Sequence, residues 1–176
     1  ELQQERIATL KAMADVETAL LKTGKTSPEA VLEARVLLGE AELDAAEKES
    51  DRITVLKNLV DVLKGELARR TWRHEQVVVG TATDPYQPAE GRFRLTRGAI
   101  EALGASRTPF GIITRGPMIV RDVDVLRFAS ERATVTVTFS IPTLDPRIWR
   151  LTEPGTAPPR QRLRALRELV DAGINA

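Results

Sequence analysis

The chain has 176 residues, with 26 Lys and Arg against 25 Asp and Glu, and its formal net charge of +1 excludes an acidic tail and a wholesale polyanion binder. It has no cysteine, which removes disulfides, thiolate nucleophiles and cysteine-ligated metal or iron–sulfur sites from these residues. Its apolar runs fall far short of the roughly 20 residues of a membrane helix, and no basic start leads into an apolar stretch, so a cytoplasmic protein is expected.

Composition changes near residue 70. All the aromatic residues, from Trp72 to Trp149, follow that point, and every lysine precedes it, Lys64 being the last. Residues 1–70 carry 11 basic and 14 acidic side chains, and residues 71–176 carry 15 and 11, or net charges of −3 and +4. Helices accept lysine and arginine alike, so their segregation has no helical cause and is compatible with a fusion, a rearrangement or a designed junction. Two segments are expected, 1–70 and 71–176.

In the first segment, Ile7, Leu10, Met13, Ala14, Val16, Leu20 and Leu21 recur every three or four residues and predict a helix over 2–22. Thr23-Gly24-Lys25-Thr26 breaks that pattern. Ser27-Pro28-Glu29 then supplies an N-cap, a first-turn proline and a favourable charge for a second helix over about 28–49. Ser50-Asp51 offers a cap or a shift of register, and Ile53, Leu56, Leu59, Val60, Leu63 and Leu67 predict a third helix over 52–68. Residues 5–11 align with 51–57, and Asp15-Val16 with Asp61-Val62, an internal repeat at an offset of 46 residues. The repeat resembles the helical hairpins of TolC-like outer-membrane efflux families. That resemblance implies stacked antiparallel helices, and the repeat itself is expected to drive a homo-oligomer. Glu40, Glu42, Asp44, Glu47 and Glu49 read as a solvated face.

The second segment alternates strand and helix. Strands are predicted at 75–80, 109–114 and 134–139, and helices at 94–103, 120–130 and 160–171. One helical turn near Ile148-Trp149 is expected inside the proline-rich stretch 142–159. Gly173-Ile174 looks like the entry to a fourth strand, which would leave a sheet edge unpaired. The expected fold is α/β, a partial parallel barrel-like sheet of about three strands preceded by an all-helical segment.

Function in such sheets collects in the loops after the strands' carboxyl ends. The first, residues 81–90, brings together within its last eight residues a hydroxyl, two carboxylates, an amide and a phenol, held by Pro85 and Pro88. It suits a charged small molecule, and it is equally an Asp-Pro turn with solvated neighbours. His74, beside Trp72 and Arg73, reads as structural or solvated, and no catalytic or metal-binding constellation emerges.

Four motifs then stand in one order: Thr83-Asp84-Pro85-Tyr86-Gln87-Pro88-Ala89-Glu90, Ile113-Thr114-Arg115, Ser140-Ile141-Pro142-Thr143-Leu144-Asp145, and Thr152-Glu153-Pro154-Gly155-Thr156 with the Arg-rich helix through Arg160, Arg162 and Ala165. Over about residues 66–175 this resembles the spore photoproduct lyase-like branch of the radical S-adenosylmethionine superfamily. The resemblance implies S-adenosylmethionine as cofactor, with Thr83 and Asp84 at its amino group, Ser140 at its ribose or carboxylate, and Arg162 opposite the carboxylate. Thr114, Tyr86, Gln87 and Glu90 are supporting candidates. Taken alone, Ser140 is equally a strand-end cap and Arg162 a helix-surface arginine. The family's 4Fe-4S cluster sits on a CxxxCxxC loop that these residues lack, so the chain is expected not to bind the cluster and to be catalytically inactive. The alternative is an interaction module built on the helical repeat. Nucleic-acid binding is disfavoured, because a net +4 spread over residues 71–176 forms no concentrated stripe.

Overall fold

The computed structural model describes residues 2–45 and 49–176. The chain divides into two compact units, Glu1–Arg70 and Thr71–Ala176. The first is helical: α1 (Leu2–Lys22), α2 (Pro28–Ala45) and α3 (Glu49–Leu67). The turn after α1 closes through Lys25 N–H on the Leu20 carbonyl at 3.0 Å, with Gly24 in the left-handed region at φ 69°. Ser27 Oγ accepts from Ala30 N at 3.2 Å, the N-cap bond that the sequence announces for α2. Thr26 donates to Glu17 Oε2 at 2.6 Å and ties this turn back onto α1. The expected end of α2 near Glu49 runs across residues 46–48, which lie outside the described residues. Ser50 and Asp51, expected as a cap, are already within the first turn of α3.

The second unit carries a three-stranded parallel sheet in the order β1 (Val77–Val79), β2 (Phe110–Thr114), β3 (Val135–Phe139). The register pairs Val77 with Phe110, and Phe110 with Val135. β1 is shorter than the expected 75–80. Val77 N–H already bonds the Pro109 carbonyl, and Pro109 has no N–H to extend the ladder toward Glu75. Between β1 and β2 run α4 (Glu90–Phe93) and α5 (Leu95–Ala105), separated by Arg94 at φ 54°. Between β2 and β3 the helix expected over 120–130 is divided into a 3-10 turn, Pro117–Asp122, and α6 (Val123–Ser130). α7 (Pro146–Thr152) and α8 (Pro159–Asp171) complete the unit.

Alternation along the strands sets the core. Phe110, Ile112, Thr114, Val135 and Val137 are buried on one face, with Ile100, Leu103, Leu126, Ala129 and Leu169 of the helices among the buried residues. Each fully buried large apolar side chain contributes roughly 1.5–3 kcal/mol. Gly104 allows α5 and α6 to touch, since a Cβ there would lie 2.9 Å from Ala129 Cβ. Val78 and Ile113, on the other sheet face, are exposed, so these strands are not buried on both sides as a continuous apolar run suggests.

The residues after α8 do meet the sheet. Val137 N–H donates to the Asn175 carbonyl at 2.8 Å, and Asn175 Nδ2 donates to Thr136 Oγ1 at 3.1 Å. The free side of β3, expected to be unpaired, therefore carries one rung, at the place where Gly173-Ile174 predicts a strand entry. Among the described residues no helix is long and apolar enough to cross a membrane.

Candidate functional site

The carboxyl ends of all three strands open into one cavity of about 490 Å³, lined by residues 80–84 and 113–115 with Ser140 and Thr156. Gly80 makes the approach of its wall possible. Its φ is 99°, and a Cβ there would lie 2.2 Å from the Ile113 carbonyl oxygen, so no other residue closes β1 onto β2 in this way.

Asp84 clamps the loop to the neighbouring strand. Its Oδ1 accepts from Tyr86 N–H at 2.9 Å and from the Thr114 hydroxyl at 2.7 Å, and its Oδ2 accepts from Arg115 N–H at 2.6 Å. Thr114 Oγ1 in turn accepts from Gly116 N–H at 2.8 Å. One carboxylate thus shapes the Asp-Pro turn, joins it to the end of β2 and faces the cavity with negative charge.

Of the residues singled out in the sequence, Thr83, Asp84, Thr114 and Ser140 line this cavity. Gln87 stands behind them, its Nε2 donating to Thr83 Oγ1 at 2.7 Å. Tyr86 and Glu90 point into a separate buried network. The Tyr86 hydroxyl donates to Asp122 Oδ2 at 3.1 Å, while Arg97 and Arg121 both reach Asp122 Oδ1 at 3.2 Å. Glu90 accepts from Thr96 N–H at 3.0 Å and Arg97 N–H at 3.3 Å, filling orphan donors at the start of α5, and pairs with Arg121 at 3.2 Å. Thr96 Oγ1 donates to the Pro85 carbonyl at 2.7 Å, so this network supports the cavity loop from behind.

Burial and, after it, the Asp122 carboxylate push the Tyr86 phenol well above its ordinary value. Hydrogen bonding to Asp124 makes the Arg97 guanidinium still more basic, and the same bond holds the Asp124 carboxyl at about 2.

Arg162 is fully buried rather than on a helix surface. Its Nε donates to the Ala157 carbonyl at 2.8 Å, its Nη1 to the Ser140 carbonyl at 2.7 Å and its Nη2 to Thr156 Oγ1 at 2.7 Å. It also pairs with Glu153 Oε2 at 2.8 Å. These bonds consume the guanidinium inside the protein, so Arg162 builds the cavity wall without lining the cavity. The cation that does line it is Arg115, half-exposed, with its Nε 3.1 Å from Glu153 Oε1. Thr156 also accepts from Trp149 Nε1 at 3.1 Å.

The sequence contains Arg115, Glu153 and Thr156 within its motifs but gives no sign of which arginine faces the cavity. Arg97, Arg121 and Asp122 carry no motif at all, and their convergence on Tyr86 is set by tertiary packing alone. Among the described residues no group of three or more His, Cys, Asp and Glu could hold a metal ion.

Comparison with known proteins follows the same segment. The family model of the Radical SAM superfamily matches residues 50–176, so the match begins in the first turn of α3 rather than near residue 66 at its end. An uncharacterised protein of Mycobacterium tuberculosis (strain ATCC 25618 / H37Rv) is 41% identical over 124 residues, covering 70% of this chain and 36% of that protein. An uncharacterised protein of Acidianus two-tailed virus is 27% identical over 118 residues, 67% of this chain and 38% of that protein. One of Methanocaldococcus jannaschii is 25% identical over 122 residues, 69% of this chain and 44% of that protein. The chain thus spans little more than a third of the mycobacterial relative's length. No solved structure matches.

Proposed function

Since the chain belongs to the Radical SAM superfamily, we propose that residues 71–176 bind S-adenosylmethionine in the cavity at the carboxyl ends of β1, β2 and β3. One observation carries this reading: separate sequence motifs, far apart in the chain, supply the walls of a single polar cavity at the strand ends, where parallel sheets bind ligands. The cavity also matches the cofactor's charges. Asp84 offers a carboxylate to an ammonium, and Arg115 offers a guanidinium to a carboxylate. Thr81, Thr83 and Ser140 add hydroxyls suited to a ribose. Arg162 serves by holding Ser140 and Thr156 in place. The ordered motifs support a place in the spore photoproduct lyase-like branch.

Members of the superfamily in general use a 4Fe-4S cluster to cleave the cofactor. These 176 residues contain no cysteine, so they do not fit the cluster. The proposed activity of this chain is cofactor binding without cleavage. Residues 1–70, with their 46-residue repeat, support a second role as a helical association module of the TolC-like kind, to be tested by light scattering across concentration.

The binding reading is tested by isothermal titration of the full chain with S-adenosylmethionine, beside Ala82→Trp, which fills the cavity from an exposed position on its wall. Saturable heat is expected, and the tryptophan should weaken it at least about tenfold, or 1.4 kcal/mol, without changing the circular dichroism. A folded chain giving no heat would sink the proposal.

A further inference from the structure

The exposed cation of the cavity is not held by the cavity itself. Arg115 turns its Nε side to Glu153, an ion pair with Nε 3.1 Å from Oε1, and among the described residues no hydrogen bond engages its Nη1 or Nη2. A guanidinium anchored at Nε keeps the opposite edge of its planar fork free, and that edge is the one that grips a carboxylate with two parallel bonds. Glu153 is buried, and α7 places it: its N–H bonds the Trp149 carbonyl at 2.8 Å, and the Thr156 hydroxyl donates to its carbonyl at 2.8 Å. Its second oxygen lies 2.8 Å from the buried Arg162, which also fixes Ser140 and Thr156. One carboxylate therefore lies at ion-pair distance from two guanidinia, its buried Oε2 facing Arg162 without a hydrogen bond and its Oε1 facing Arg115. Removing the negative charge would leave two cations facing each other, and the half-exposed Arg115 is the one free to turn away into water.

We infer that Glu153 is a positioning residue, whose ion pair with the Nε side of Arg115 turns the opposite Nη edge toward the carboxylate of a small-molecule ligand. The inference rests on the cofactor reading for the identity of that ligand and stands on its own for the orientation of Arg115.

The test uses the full chain and two probes, S-adenosylmethionine and its decarboxylated analogue, which differ at the group in question. The native chain is expected to prefer the carboxylate form by at least about tenfold. Glu153→Gln should weaken S-adenosylmethionine by about tenfold while changing the analogue by less than about twofold. Arg115→Gln, which leaves the Glu153–Arg162 pair whole, should do the same and covers the case in which the Glu153 variant does not fold. Equal losses for both probes in Glu153→Gln, or discrimination that survives Arg115→Gln, would overturn the inference. In the ligand-free protein, the Arg115 Nε–H resonance, assigned by its loss in Arg115→Gln, should exchange slowly, and faster in Glu153→Gln. A fast-exchanging Nε–H in the native chain overturns the inference as well. If neither probe binds, the cofactor reading has failed, and this resonance still decides the role of Glu153.

Discussion

Tyr86 is the single tyrosine of the chain, and its buried hydroxyl lies 3.1 Å from Asp122. In the unfolded chain the phenol ionises near 10, whereas in the folded chain burial holds it neutral well beyond that. Above pH 10 the unfolded state therefore loses its proton first, and stability falls as pH rises. Alkaline titration should show no tyrosinate absorbance until the chain unfolds, and tyrosinate appearing near pH 10 in a folded chain would refute this burial. Asp122 is the keystone of the same cluster, since it is buried and receives the phenol and two guanidinia. Asp122→Ala should cost roughly 3–5 kcal/mol in urea unfolding, because it leaves buried donors and charges without an acceptor. Tyr86→Phe, which leaves both arginines paired, should cost only about 1 kcal/mol. Asp84 was legible as a chemical residue from its turn motif. The role of Arg162 was not, because an arginine on an amphipathic helix reads as solvated. Its burial depends on acceptors such as the Ser140 carbonyl, 22 residues away in sequence.

At the scale of elements, hydrophobic period placed the helices and strands, and long-range polar contacts moved their ends. The run of three valines was readable as a strand, while its short length follows from Pro109 on the neighbouring strand. The helix before β3 starts late because Asp122 at φ −105° turns its side chain into the arginine–tyrosine cluster instead of continuing an α-helical turn. The fold class itself was legible, since β–loop–α units with short connections leave few alternatives to a parallel sheet. The junction of β1 with its loop makes the strongest demand on one residue. Gly80→Ala would place a methyl 2.2 Å from the Ile113 carbonyl at a φ of 99°. A loss of at least about 2 kcal/mol is expected, read as a lower urea midpoint with an unchanged slope. A midpoint equal to the native one would mean that β1 does not close on β2 as described.

The two units bury different kinds of core, and that difference has consequences for the whole molecule. Among the described residues of the helical unit, burial falls largely on small side chains, Ala14, Val31, Ala34 and Ala41. The α/β unit buries larger side chains, Phe110, Ile112, Leu126 and Leu169, around a hydrogen-bonded sheet. Local opening free energy follows buried contact, and amide exchange should therefore be slowest in β2, β3, α5 and α6 and faster through α1 and α2. α3 is the informative element, because the family match begins within it whereas its compact unit is the helical one. If α3 shares its protection with the sheet, it belongs energetically to the α/β unit. If it exchanges with α1 and α2, the match there reflects ancestry without present coupling. Adding S-adenosylmethionine should then slow exchange at residues 80–84, 113–115 and 140, the cavity's own backbone, and leave α1 and α2 unchanged. Protection gained first in α1 and α2 would move the ligand to the helical unit and refute the cavity as its site.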